Sequence, residues 1–182
     1  MIAYKGFGKG LVCRGYKFKM GMNTTPKAQA VECGFHCAED PLDCLSYYPN
    51  MNSSEYYIVD AGGDVDEDGT DTKISCTELN IIKKLTKEDF ILHALAYIVD
   101  HPKRKKNHRI KEHRGEADGN GFVIVIGEDP VARGKKGDIL AFARNTRGGE
   151  IAEVSLVVID EETVLPDLWY GSDLSVREVQ DE

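Results

Sequence analysis

The chain has 182 residues, 41% of them hydrophobic, and a formal net charge of −8. That hydrophobic share excludes a disordered chain, and the acidic balance excludes general binding of nucleic acid or anionic membrane through the whole surface. No apolar run approaches the roughly 20 residues of a membrane helix, and residues 1–6 have no basic stretch leading into an apolar one, so a cytoplasmic protein without a membrane partner is expected.

In chain order, residues 2–7 and 11–18 read as two short strands, with Gly8 and Gly10 between them. Residues 34–36 form a short extended piece. Asp40-Pro41 then opens a helix, Asp40 as its cap and Pro41 at its first position, with Leu42, Leu45 and Tyr48 along one side. Residues 55–61 are β-rich and run into Gly62-Gly63 and an acidic turn. Residues 73–82 are a further strand, and its apolar phase shifts from Ile74 and Cys76 to Leu79 and Ile81, which predicts a bulge near Thr77. Thr86 caps the strongest helix, Glu88 and Asp89 suit its dipole, and Phe90, Ile91, Ala94, Leu95 and Ile98 form one apolar face. Pro102 ends it.

A basic and then Gly-rich stretch follows and reads as a long loop. Between Lys103 and Arg114 there are seven basic residues and one acidic. Residues 122–126, 138–143 and 151–159 read as a β-meander with turns at 134–137 and 147–149. The first is apolar throughout, as a central strand is. Trp169 and Tyr170 are large enough to tie down the C-terminal end. The expected fold is α+β: a mixed or antiparallel sheet, two main helices and a C-terminal β-meander. Residues 1–101 form the first part, 102–120 the loop and 121–182 the meander, packed as one compact domain.

Four stretches carry a family resemblance. They are residues 1–7, the block from Cys33-Gly-Phe-His-Cys to Leu-Ser-Tyr-Tyr48, Gly62-Gly-Asp, and Asp71-Thr-Lys-Ile-Ser-Cys-Thr77. Together they resemble the N-terminal domain of phage and prophage proteins whose function is unknown. Gly134-Lys-Lys-Gly-Asp-Ile-Leu-Ala141 and Pro166-Asp-Leu-Trp-Tyr170 are similar to the C-terminal end of the same proteins. Longer members carry Gly- and Asp-containing repeats between the halves, which marks the junction after Pro102 as an insertion point. The resemblance implies no activity.

Three constellations bear on chemistry. Cys33, His36, Cys37 and Cys44 supply the thiolates and imidazole of a Zn²⁺ site, against small buried cysteines as the alternative. The odd total of five cysteines, without a secretory leader, points to reduced thiols. Asp64, Asp66, Asp68 and Asp71, with Gly69, are spaced to wrap Ca²⁺, although Ser75 stands where an EF-hand has Glu; the alternative is a solvated acidic hairpin. No other cofactor is expected.

The third constellation is a resemblance to the ADP-ribosyltransferase fold. Tyr4-Lys-Gly-Phe7 is similar to the first-strand motif of those enzymes, and Gly34-Phe35-His36 with Asp40-Pro41 and Tyr47-Tyr48 to their nicotinamide-pocket segment. It implies a pocket built from Tyr4, Lys5, His36, Tyr47 and Tyr48. Lys5 stands where those enzymes contact the dinucleotide through Arg or His. The catalytic Glu has no placed equivalent, Glu150 and Glu153 being candidates by type alone. Separately, Lys103, Arg104, Lys105, Lys106 and Arg109 form an anion or nucleic-acid site or else a solvated loop, with no aromatic between them for base stacking.

Two functions follow as expectations. One is a non-catalytic phage or prophage accessory protein that binds a host or phage macromolecule, for instance to inhibit a bacterial defence system. The other is an ADP-ribosyltransferase-like enzyme acting on NAD, or a degenerate relative of one. The oligomeric state is left open.

Overall fold

The structure, a computed structural model, describes residues 1–26, 33–67 and 72–179. It corrects the expected α+β class: half of the residues are strand and 12% are helix. The chain divides into two compact units, Met1–Ala94 and Leu95–Glu182.

In the first unit, β1 (Ile2–Gly8), β5 (Phe35–Ala38), β6 (Ser54–Glu67) and β7 (Lys73–Lys84) close on one another. β1 pairs with β6 along its whole length, β6 with β7, β7 with β5, and β5 returns to β1 at Tyr4↔Ala38. The result is a small barrel, closed because two strands are long enough to reach round it. The short strands β2 (Val12–Cys13) and β3 (Tyr16–Lys17) make a hairpin beside β1, and β4 (Gly21–Thr24) extends β7. Residues 11–18 are therefore not one strand but a hairpin that turns at Arg14-Gly15. Inside the barrel Ala3, Phe7, Val59, Ala61, Leu79 and Ile81 are buried, and Phe7 meets Phe18 and Tyr57 edge-on.

The phase shift in β7 has its physical cause on the facing strand. Gly62 pairs with Glu78 and Val65 with Cys76, so Gly63 and Asp64 together oppose Thr77. Gly63 has φ +69°, and a β-carbon there would collide with Thr77 Oγ1. That hydroxyl instead accepts the Asp64 N–H at 2.9 Å. The bulge thus lies across from Thr77, with glycine where the left-handed conformation demands it.

The first expected helix is a 3₁₀ helix, Pro41–Ser46, capped by the Asp40 carboxylate on the Leu42 N–H at 2.9 Å. Pro49 disfavours a helical Tyr48 and stops it from lengthening. The second is α1 (Lys87–Asp100), whose Asp89 N–H donates to the Thr86 hydroxyl at 3.0 Å. Its apolar face is buried as the spacing predicts, and Phe90 packs on Tyr56 at 4.7 Å between ring centres. Among the described residues no helix is long and apolar enough to cross a membrane.

The second unit is built round β9 (Phe122–Arg133), flanked by β8 (Lys111–Glu116), β10 (Ile139–Asn145) and β12 (Trp169–Gly171). β11 (Ile151–Val158) lies outside β10, and β13 (Val176–Arg177) outside β12. Two expectations are corrected. The long loop contains a strand, β8, and the meander is absent because β9 pairs with β8 and β10 in parallel. A straight strand of this length would hold its ends about 36 Å apart. Yet Ala117 N–H donates to the Arg133 carbonyl at 3.0 Å, and its neighbour Asp118 to that of Phe122 at 3.3 Å. β9 therefore folds back on itself, and its register against β8 breaks at residues 127–130. Its end returns to its beginning, so the short turn at 134–138 delivers β10 alongside and pointing the same way. Trp169 is buried between two guanidinium groups, Arg114 at 4.3 Å and Arg133 at 4.6 Å from its ring centre.

Candidate functional site

The barrel has a seam. On the edge away from β6, β1 meets β2 only at Gly8↔Val12 and β5 only at Tyr4↔Ala38. Between those points β1 and β5 part, and side chains satisfy the exposed backbone. The His36 carbonyl accepts a hydrogen bond from Lys5 Nζ, and Cys44 lies along the same opening. The 3₁₀ helix covers the opening. Tyr48 lies so close over Gly6 that a β-carbon there would come within 2.7 Å of its ring. The helix is pinned from below by Thr72, whose hydroxyl donates to Asp43 at 2.6 Å and accepts the Asp40 N–H at 2.9 Å.

A cavity of about 590 Å³ follows this seam. That is ample for a small organic ligand. Its walls are Tyr4, Lys5 and Gly6 of β1, Phe35, His36 and Cys37 of β5, and Cys44, Tyr47 and Tyr48 from above. Arg14 and Tyr16 of the β2–β3 hairpin and Lys73 at the start of β7 complete it. In a chain of net charge −8, none of the described lining residues is Asp or Glu.

Lys5 is the most unusual of these groups. Its side chain is 5% exposed, and its ammonium stands 5.3 Å from the Phe7 ring and 5.5 Å from that of Phe18. Besides the His36 carbonyl it has no hydrogen-bond or ion-pair partner among the described residues. His36 is held neutral: burial first, then the charges of Lys5, Lys73 and Arg14, push its pKa below the ordinary value. Its Nε2 is buried without a hydrogen-bond partner. Burial and the Cys13 thiol push the Tyr48 hydroxyl up, and burial pushes the Cys44 thiol up to about 12. Tyr4 bonds through its hydroxyl to His93 Nδ1 of α1 at 3.0 Å. Lys73 Nζ lies 3.3 Å from the Tyr47 hydroxyl.

Residues 1–93 match a family model described as a domain of unknown function, DUF7666. The chain belongs to this family. The match takes in the whole barrel and the start of α1, so the cavity lies entirely inside the DUF7666 domain. No curated protein and no solved structure matches the chain.

Within the DUF7666 domain, Tyr4, Lys5, His36, Tyr47 and Tyr48 line the one cavity. No glutamate is among its described lining residues, and Glu150 and Glu153 belong to the second unit. Four of the cavity residues are those of the expected Zn²⁺ set. Cys33, His36, Cys37 and Cys44 all border the cavity, but no three His, Cys, Asp or Glu residues among those described gather as metal ligands. His36 and Cys37 are successive on β5 and so face opposite sides. Cys37 is held protonated by its bond with the Cys76 thiol and by burial. Asp64 and Asp66 are exposed on β6, while Asp68 and Asp71 lie outside the described residues.

Lys103, Arg104, Lys105 and Lys106 are exposed and Arg109 is half-buried in the second unit, with Arg104 donating to the Tyr97 hydroxyl at 2.8 Å. Arg14, Tyr16 and Lys73 escaped the sequence reading. The one available signal was Arg14-Gly15, a turn pair hidden inside a run of strand-like residues.

Proposed function

We propose that the DUF7666 domain is a binding module for a small, anionic, ring-bearing molecule, held in the seam between β1 and β5 without chemical turnover. The observation that carries this reading is Lys5. Removing an ammonium from water costs several kcal/mol unless an opposite charge comes with it. Here the charge is kept at the wall of a cavity whose other charged groups among the described residues, Arg14 and Lys73, are also cationic. An anionic ligand supplies the missing partner. Tyr16 and Tyr47, each about half exposed, offer ring faces to its apolar part.

The absence of a carboxylate among the described lining residues, together with the Cys37 and Cys44 thiols held protonated, supports capture over catalysis. On this reading the chain is a phage or prophage accessory protein that works by binding, including against a host defence system, and what it binds is a small anion rather than a macromolecule.

The test is calorimetric titration of the whole chain with aryl phosphates, aryl carboxylates, nucleotides and NAD. Ring-bearing anions should bind, neutral analogues of the same rings should not, and Lys5→Met should abolish binding. Equal binding of charged and neutral rings, or a Lys5→Met protein that binds as the wild type does, would refute the reading.

A further inference from the structure

We infer that the anionic group taken by this cavity is a phosphoryl group, and that Arg14, at the tip of the β2–β3 hairpin, is the residue that recognises it. This rests on the anion-binding reading above and goes beyond it in naming the anion and the residue that selects it.

The hairpin pairs Val12 with Lys17 and Cys13 with Tyr16, which leaves Arg14 and Gly15 as a two-residue turn. Both have positive φ, +48° and +80°. Turns of this kind favour Asn, Asp or Gly at the first position, because a longer side chain there strains the backbone. Arginine is thus a poor choice for the turn itself, and such outliers gather where a side chain is needed for function.

Its placement supplies the need. Arg14 lines the cavity, close enough to His36 and Tyr48 for its charge to bear on both. Cys13 of the hairpin and Tyr48 of the segment that roofs the seam line the same cavity. No described residue pairs with the Arg14 guanidinium.

Three polar groups of different kinds therefore line the same cavity. Lys5 is a buried point charge, Arg14 a planar fork, and His36 Nε2 an unpaired ring nitrogen. A carboxylate brings one charge and two oxygens. Guanidinium pairs with a carboxylate or a phosphate through parallel hydrogen bonds, but a phosphate monoester brings close to two charges and three oxygens, which leaves one oxygen and charge for a second cation. The donor set matches the second anion in both charge and number.

The experiment compares phenyl phosphate with benzoate, which share a ring and differ in the anion, on the wild-type chain, Arg14→Gly, Arg14→Lys and Lys5→Met. Wild type should bind phenyl phosphate at least about tenfold more tightly than benzoate. Arg14→Gly should melt at a higher temperature than wild type, since glycine relieves the turn, yet lose at least about tenfold in phenyl phosphate affinity. Its benzoate affinity should fall by a clearly smaller factor, because Lys5 alone still neutralises the single charge. Arg14→Lys keeps the charge without the fork and should fall between the two. Wild type that binds both probes equally, or Arg14→Gly that keeps phenyl phosphate affinity, overturns this inference and leaves the anion site standing. Binding of neither probe by wild type, or undiminished binding by Lys5→Met, overturns both.

Discussion

Lys5 and His36 sit on neighbouring strands, and the charge of the lysine bears on the histidine. The ammonium raises the cost of protonating the imidazole, as do Lys73 and Arg14 after the larger effect of burial. The folded pKa of His36 therefore lies below 6.5, its value in the unfolded chain. Above about pH 6.5 both states are neutral and the folded protein keeps its full stability. As pH falls through that value the unfolded chain takes up a proton that the folded chain refuses, so stability declines until the folded site itself titrates. A bound anion reverses the local field and gives the bare Nε2 an acceptor. Affinity for phenyl sulfate, whose charge is constant over this range, should accordingly rise between pH 7.5 and 5.5, with a net proton taken up on binding. His36→Phe should flatten the profile; a flat profile in the wild type would show that His36 does not face the ligand.

At the scale of elements, the barrel depends on strands changing phase at set places. Gly63 is the clearest case. Its left-handed conformation costs any L-residue about 1–2 kcal/mol, and a β-carbon must also displace the Thr77 hydroxyl. Gly63→Ala should destabilise the protein by more than about 2 kcal/mol in denaturant melts. Gly62→Ala, with ordinary contacts to Glu78 and no positive φ, should cost much less. Equal losses at both positions would place the strain elsewhere.

The same elements show what a sequence can and cannot convey. The shift from Ile74 and Cys76 to Leu79 and Ile81 revealed the bulge, and Asp40-Pro41 revealed a helix start, because both are local patterns. The length of that helix was hidden, since Pro49 acts on Tyr48 from outside it. The parallel pairing of β9 was hidden too: a run of apolar residues marks a central strand but not which way its neighbours run. Arg14 was hidden because a turn built from Arg-Gly lacks the usual residue at its first position. Tyr4, Lys5, His36, Tyr47 and Tyr48 were named together through a resemblance. Why they surround an opening depends on β1 and β5 parting, which no spacing in the sequence records.

For the whole molecule, the distribution of charge matters more than its sum. The chain holds two basic regions within a net charge of −8: the cavity in the first unit, and Lys103 to Lys106 with Arg109 in the second. They predict different responses to salt. Exposed cations are screened over about 8–10 Å at ordinary ionic strength, whereas a buried ammonium is screened far less. The part of the affinity carried by Lys5, read as benzoate binding to Arg14→Gly, should therefore change by less than about threefold between 50 and 200 mM salt. Replacing Lys103, Arg104, Lys105 and Lys106 by Gln should leave it unaltered. Steep loss of affinity with salt, or its loss in the Gln variant, would assign the anion to the exposed segment.

The anion site of the first unit depends on a lysine buried without a counter-charge among the described residues. If Lys5 waits for a ligand, it burdens the empty protein, and Lys5→Met should raise the unfolding free energy by about 1–3 kcal/mol while losing all stabilisation by phenyl phosphate. If Lys5 is there for the fold, through its bond to the His36 carbonyl, the same substitution should lower stability and leave any ligand shift in place. Equilibrium denaturation of wild type and Lys5→Met, each with and without phenyl phosphate, separates the two. A more stable variant that no longer responds to the anion is the result expected here; a less stable one that still responds would contradict it.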